Sequence, residues 1–371
     1  IFLPTGAVPA EGDVIVQTDL ANTLRRLADD GFDGFYQGET AKLLVDGVRE
    51  AGGIWTQQDL ADYRVIEREP FRFEFNGTQF VSAPLPSSGG IAMAEMLNIV
   101  SGFDAATLSD VQRQHVLIEA MRRAYRDRAE YLGDDDFVEV PVAQLKSADH
   151  AAEIRASIEL DRATPSSSLP GIGTDGSSGM QTTHFSVLDK DGNRVAATIS
   201  INAWYGAAFV PPGTGVILNN TMDDFSIKPG VPNTFELIGS EANAVEPGKR
   251  PLSSMSPTFL ESERGIAILG TPGGSRIITM VLRSALAWMD GADAQTMVGM
   301  PRFHHQYLPD VVSYDEGAFS ADQIEALEQM GHKLSLARRP FGNMNVVTWD
   351  LATNTVGAAS DPRGEGEGRV Y

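Results

Sequence analysis

Apolar side chains recur along the chain in two periods. Leu20, Leu24 and Leu27 share one face of a predicted helix within residues 19–30, and residues 41–51 and 111–131 repeat that spacing. Residues 72–81 instead alternate aromatic and polar positions around Asn76-Gly77, a pair suited to a tight hairpin turn. Pro84-Leu85-Pro86-Ser87-Ser88-Gly89-Gly90 interrupts regular structure, and a further helix is predicted to begin near Ile91. Alternation returns at 182–188 and 194–201, flanking the turn Asp189-Lys190-Asp191-Gly192-Asn193. Short strands are predicted at 215–218, 265–269 and 346–349, and helices at 276–289 and 321–330. Helices, then strands, then helices imply stacked layers around a mostly antiparallel sheet. No internal repeat is evident.

Residues 163–181 break the pattern, being almost entirely small, with prolines and glycines, and are expected to form a mobile surface segment. The 371 residues suffice for two or three units, or for one layered domain. Acidic residues outnumber basic ones 50 to 29, a net charge of −21 that disfavours nucleic acid and anionic lipid as partners. With no cysteine, disulfides, thiolate metal sites and cysteine nucleophiles are excluded. No apolar run approaches the roughly eighteen residues of a membrane span. The chain begins Ile1-Phe2-Leu3-Pro4 without a methionine and is read as lacking its natural start, so an export signal cannot be judged.

Several motifs are decoys. Gly171-Ile172-Gly173-Thr174-Asp175-Gly176 fits a dinucleotide fingerprint but follows no strand and opens no helix, so linker is the better reading. Gly270-Thr271-Pro272-Gly273-Gly274-Ser275-Arg276 does lie between a predicted strand and helix, where backbone N–H groups cradle anions, yet it lacks the Lys of a nucleotide loop. His304-His305 are adjacent and so diverge, without a third ligand at metal-binding spacing. Asp134-Asp135-Asp136 and the 189–193 turn lack calcium-loop spacing. Neither metal nor cofactor is expected.

The informative junction is Gln181–Thr182, where the small-residue segment meets a strand. It reads either as a linker joining a strand or as a self-cleavage point. In the second case the Thr182 hydroxyl attacks the preceding carbonyl, and hydrolysis of the ester frees a Thr whose α-amino group, with a pKa of roughly 7.7–8.0, serves as its own base.

In order along the chain stand Thr182-Thr183-His184-Phe185-Ser186-Val187, Leu218-Asn219-Asn220-Thr221-Met222-Asp223-Asp224-Phe225-Ser226, Arg250-Pro251-Leu252-Ser253-Ser254-Met255-Ser256-Pro257-Thr258, Gly273-Gly274-Ser275-Arg276, Pro301-Arg302-Phe303-His304-His305 and Ser360-Asp361-Pro362-Arg363. Together they resemble the small subunit of the γ-glutamyltranspeptidase family, within the N-terminal-nucleophile hydrolases. Pro86-Ser87-Ser88-Gly89-Gly90, Asp127-Arg128-Ala129-Glu130-Tyr131-Leu132-Gly133-Asp134 and residues 53–63 resemble the later part of its large subunit.

The resemblance implies an α+β fold, a four-layer αββα sandwich, with residues 1–181 and 182–371 forming one intertwined domain. It further implies a proenzyme cut between Gln181 and Thr182 into a large–small heterodimer, periplasmic or secreted. Thr182 then takes an acyl group from γ-glutamyl compounds such as glutathione, resolved by water or by an amino acid or dipeptide acceptor. Gly273 and Gly274 match the oxyanion hole, and Ser200 the hydroxyl beside the nucleophile. Asp224 matches the α-amino site, Ser253 and Ser254 the α-carboxylate site, and Asn202 and Thr221 line the same pocket. Asn219-Asn220 match structural support, and residues 229–240 match a lid loop.

Three positions depart from the family pattern. Ser200 stands where Thr is common, Thr221 where Gln or Glu is usual, and Phe235 where the lid often carries an aromatic hydroxyl. The family's Arg for the α-carboxylate lies further upstream, so no residue here is assigned that role. Two other readings stay open: an acylase for glutaryl or cephalosporin side chains, favoured if Thr221 relaxes the amino-group contact, and a non-catalytic, unprocessed fragment.

Overall fold

A computed structural model describes residues 2–3, 6–170, 181–338 and 342–371. Most of the segment expected to be mobile, including the Gly171 run, lies outside them. The chain divides into two compact units, Ile1–Arg68 with Ala203–Asn220, and Glu69–Asn202 with Thr221–Tyr371.

The first unit is built from helices α1 (Thr18–Asp30), α2 (Asp33–Tyr36), α3 (Gly38–Glu50) and α4 (Gln57–Ala61). The periodicity finds α1 and α3, but only α3 buries its stripe, through Ala41, Leu44, Val45 and Val48. Leu24 and Leu27 of α1 stay 54% and 40% exposed, and polar contacts fix that helix instead. The buried Thr23 hydroxyl donates to the Thr214 carbonyl (2.8 Å), and the Arg26 guanidinium to the Thr40 hydroxyl (2.7 Å). Residues 215–218 do not form the expected strand. Gly213 and Gly215 take positive φ (76° and 66°), which breaks a ladder, leaving Leu218 to exchange backbone hydrogen bonds with Ala207 and Phe209 alone.

The second unit holds the six-stranded sheet. β1 (Phe71–Phe75) and β2 (Thr78–Ser82) form the predicted hairpin, with Asn76 and Gly77 both left-handed (φ 47° and 74°). α5 (Gly89–Ser101), α6 (Asp110–Tyr131), α7 (Val142–Leu145) and α8 (Ala148–Ala156) follow, then the hairpin β3 (Gln181–Leu188) and β4 (Arg194–Asn202). Next come β5 (Thr258–Ser262), β6 (Gly265–Gly270), α9 (Ile277–Met289), α10 (Ala294–Gly299), β7 (Phe303–His304), β8 (Val312–Tyr314), α11 (Ala321–Gln329), β9 (Leu334–Leu336), β10 (Asn345–Asp350) and β11 (Thr355–Ser360). The order β1-β2-β5-β6-β10-β11 is antiparallel throughout, and it joins strands from both sides of residue 182.

Two faces of this sheet are covered. Met93, Met96, Leu97 and Ile99 of α5, Ile118 and Met121 of α6, and Ile278, Val281 and Leu282 of α9 bury against Phe80, Leu260, Ala267 and Leu269 in one core. On the other face lies the β3–β4 hairpin, with Ser186 donating to the Ile268 carbonyl (3.1 Å) and Asn345 to the His184 carbonyl (2.9 Å). Helix, sheet and second sheet are thus stacked as the αββα order requires, in an α+β fold.

One part of the expected mobile segment is fixed. Ser166 is fully buried: its N–H donates to Asp310 (2.8 Å) and its hydroxyl accepts from Arg122 (2.6 Å), while the Ala163 N–H donates to the Met330 carbonyl (2.7 Å). Composition predicts mobility because it counts apolar area. Here a buried guanidinium and a carboxylate demand polar partners, and a short serine-rich turn supplies them.

Candidate active site

β4 sets the environment of Thr182. Thr182 pairs with Ser200 and Gln181 with Asn202, so Ile201 has no partner and the register shifts across the Gln181–Thr182 bond. Such a bulge re-aims side chains. Asn202 closes it in a left-handed conformation (φ 73°), and its N–H donates to Ser200 Oγ (2.9 Å). Ser200 Oγ in turn lies 3.0 Å from Thr182 Oγ1. His184, two residues on, is no base for this hydroxyl. Its nitrogens meet the Thr198 and Ser186 hydroxyls (2.8 and 3.0 Å), and burial lowers its pKa to about 4, so it is neutral near pH 7.

The His184 ring covers Gly270 at the end of β6, where the glycine turn begins. Gly273 and Gly274 have φ of 152° and 56°, and a Cβ would lie 2.3 Å from the Met280 methyl at the first and 2.5 Å from the Phe235 ring at the second. Only glycine satisfies both backbone and space here. A buried bracket holds the turn. The Tyr125 hydroxyl donates to the Ser275 carbonyl, and Ser275 Oγ donates to Gln306 Oε1 (2.6 Å). Gln306 Nε2 donates to the Phe235 carbonyl (3.0 Å), and its Oε1 also meets His304 (2.8 Å). His304 therefore braces the turn, while His305 faces Asp310 (3.1 Å). Burial lowers their pKa values to about 3 and about 4.

A third group gathers at α6. Arg128, itself buried, donates to Ser88 Oγ (2.9 Å) and to Ser254 Oγ (3.2 Å). Ser253 is tied to the Pro86–Ser88 corner, its N–H donating to the Pro86 carbonyl (2.7 Å) and its carbonyl accepting from Ser88 N–H (2.8 Å). Its hydroxyl oxygen accepts from Met255 N–H (3.0 Å). Thr221–Asp224 form a 3-10 turn. Burial raises the Asp224 carboxyl to about 7, with Arg128 opposing that shift and Asp223 adding to it.

The expected residues thus form three groups: Thr182, Ser200 and Asn202 on the hairpin, Gly273 and Gly274 at the turn, and Asp224, Ser253 and Ser254 around Arg128. Among the described residues no hydrogen bond links Thr182 to the other two groups. α6 connects those two, since Tyr125 and Arg128 lie one turn apart on it. Asn219 and Asn220 belong to the other unit, where Asn220 accepts from Ala203 N–H (2.8 Å). The expected lid folds back on itself, with Gly230 N–H on the Gly239 carbonyl and Ser240 on the Ala129 and Glu130 carbonyls. Phe235 presses its ring on Gly274. The sequence reading gave no role to Arg128, Tyr125 or Gln306. For Arg128 the signal lies within the matched motif at 127–134, an arginine on a stretch of helix that is otherwise buried.

The Gamma-glutamyltranspeptidase family model matches residues 1–371. The chain is 46% identical over 98% of its length to the glutathione hydrolase proenzyme of Pseudomonas sp. (strain A14), and 42% identical over 98% to that of Escherichia coli (strain K12). It spans 65% and 63% of the lengths of those two relatives. In structure it is similar to the cephalosporin acylase from Bacillus halodurans, with a TM-score of 0.86 and 29% identity over 100% of this chain and 65% of that one. No helix among the described residues is long and apolar enough to cross a membrane. From its outer motifs to the bulge at Thr182, the chain belongs to the γ-glutamyltranspeptidase family.

Proposed function

We propose that this chain is the nucleophile-bearing part of a self-processing γ-glutamyl transferase and glutathione hydrolase. The observation that carries the reading is the Thr182–Ser200 hydroxyl contact of 3.0 Å at a register shift across the Gln181–Thr182 bond. Thr182 Oγ1 adds to the Gln181 carbonyl carbon, the C–N bond breaks, and the acyl group moves to oxygen. Water then hydrolyses the ester, leaving a Gln181 carboxylate and a free Thr182 α-amino group. Ser200 Oγ accepts from the Asn202 N–H and lies 3.0 Å from Thr182 Oγ1, within reach to stabilise charge developing on that oxygen.

In turnover the same oxygen attacks the γ-carbonyl of a γ-glutamyl amide, its proton passing through the new amino group to the leaving amine. The Gly273 and Gly274 N–H groups receive the oxyanion, such donors being worth about 2.7–4 kcal/mol each. Asp224 takes the substrate ammonium. The oxygens of Ser253 and Ser254 already accept hydrogen bonds, which leaves both O–H groups to donate to the α-carboxylate, with Arg128 supplying positive potential behind them. Family membership supports a processed two-subunit enzyme in the periplasm or outside the cell, with amino acids or dipeptides as acceptors.

Intact mass of the purified chain under denaturing conditions tests the first step. Two fragments meeting at Gln181/Thr182, absent in Thr182→Ala, are expected; a single full-length species, or a cut that survives in Thr182→Ala, refutes it. The likeness to a cephalosporin acylase and the short Thr221 support a second reading, an acylase for glutaryl-type side chains. A higher rate on a glutaryl anilide than on its γ-glutamyl counterpart would establish it instead.

A further inference from the structure

Beneath the Arg128 face, three helices bring two carboxylates and an imidazole together. Glu95 comes from α5, Asp127 from α6 and His150 from α8, and one ligand atom from each lies within 4.8 Å of the others. His150 Nε2 is 2.8 Å from Asp127 Oδ2 and 3.8 Å from Glu95 Oε1. Tetrahedral ligands at about 2.0–2.2 Å from a zinc ion are separated by about 3.3–3.6 Å, a range those two distances bracket. Glu95 is 1% exposed, and its Oε1 has no hydrogen-bond partner although it faces His150. A buried carboxyl oxygen without a partner is costly.

We propose that Glu95, Asp127 and His150 form a binding site for a divalent transition ion of the zinc class. The donor set selects the ion: an imidazole with two carboxylates suits zinc and its neighbours better than calcium or magnesium, which prefer oxygen alone. The Arg126 guanidinium on Asp127 Oδ1 (2.6 Å) orients that ligand from outside. The His150 side chain is 12% exposed, so the cluster reaches the surface at that ligand. Among the described residues, the other ligand clusters show no buried carboxylate oxygen without a partner. Both Glu119 oxygens are held by Arg122 and Arg123, His115 is bonded to His332 and to the Glu159 carbonyl, and the Asp134–Asp136 turn is largely exposed. Local spacing in the sequence gave no hint of this site because each ligand comes from a different helix. Bound there, the ion would pin α8 to the α5–α6 pair.

The test is calorimetric titration of the chelator-stripped full chain with Zn2+ alone, together with its melting temperature. One ion per chain and a raised melting temperature are expected, with affinity at least tenfold weaker in Glu95→Gln and His150→Gln. His150 is at the rim, so its variant keeps the test valid if Glu95→Gln fails to fold. No saturable binding by the parent chain, binding unchanged in the folded variants, or binding lost instead in His115→Gln or Asp135→Asn would overturn the proposal.

Discussion

The Arg128 guanidinium donates to the Ser254 hydroxyl across 3.2 Å while it opposes the protonation of Asp224. One buried cation thus sets the state of both a hydroxyl and a carboxyl in the proposed glutamyl pocket. Arg128→Lys keeps the charge but loses the fork that reaches Ser88 and Ser254 together. Charge-assisted hydrogen bonds are worth about 1.5–3 kcal/mol, so KM for a γ-glutamyl anilide is expected to rise about 10- to 100-fold with a smaller change in kcat. Self-cleavage, which involves no glutamyl group, should proceed in the variant, and steady-state kinetics beside intact mass checks both halves.

Asp224 links activity to pH. Its carboxyl titrates at about 7 in the folded chain, and only the carboxylate pairs with a substrate ammonium, so kcat/KM is expected to climb with pH up to about 7. Stability runs the other way. The folded state holds this proton where the unfolded state has released it, so folding is weakened as pH rises from the ordinary Asp value of 3.8 toward 7. Asp224→Asn should therefore melt higher than the parent, by a margin that widens over that window and then levels off, while γ-glutamyl turnover collapses. Melting curves and rates measured across the same pH series would expose a misassignment if the two trends failed to separate.

Acid should unfold the chain through its histidines. Burial lowers His184 and His305 to about 4 and His304 and His332 to about 3, whereas unfolded histidine titrates near 6.5. Below 6.5 the unfolded chain binds more protons at these four sites, and stability falls with pH until the folded values are reached. Asp224 and Glu95, both raised mainly by burial, offset part of this slope. Urea midpoints between pH 6.5 and 4 should drop steeply, and His332→Gln should flatten the curve.

Gly274→Ala combines two penalties, a left-handed φ of 56° and a Cβ 2.5 Å from the Phe235 ring. A loss of about 1–3 kcal/mol in stability is expected, together with a larger loss in turnover as the N–H is re-aimed. Adding Phe235→Leu makes room for the Cβ but leaves the backbone strained. The double variant should recover part of its melting temperature and little of its rate.

The frame of the second unit was legible because its signals are local. Asn76-Gly77 announced one hairpin and the 189–193 turn another, and α5, α6, α9 and α11 follow apolar spacing. β5 and β11 escaped notice, β5 lying beside a proline-rich motif and β11 being made largely of small residues. The site was legible only as motifs in order, since nothing local says that Ser254 meets an arginine 126 residues upstream. α6 shows the limit most clearly. Glu119, Arg122, Arg123, Asp127 and Arg128 are all buried, and a reading that assigns charge to the surface cannot anticipate a helix whose inner face is ionic.

The shared sheet has a consequence for a chain severed ahead of Thr182. β2, from the upstream piece, is laddered to β5 of the downstream piece from Gln79–Glu261 to Ser82–Thr258, in the interior of the sheet. The cut would alter connectivity and leave topology as it was, so the two pieces could part only by unzipping a central strand pair. Unfolding would then be dissociation, its midpoint would rise with protein concentration, and reassembly would be second order where the uncut chain refolds at a rate independent of dilution.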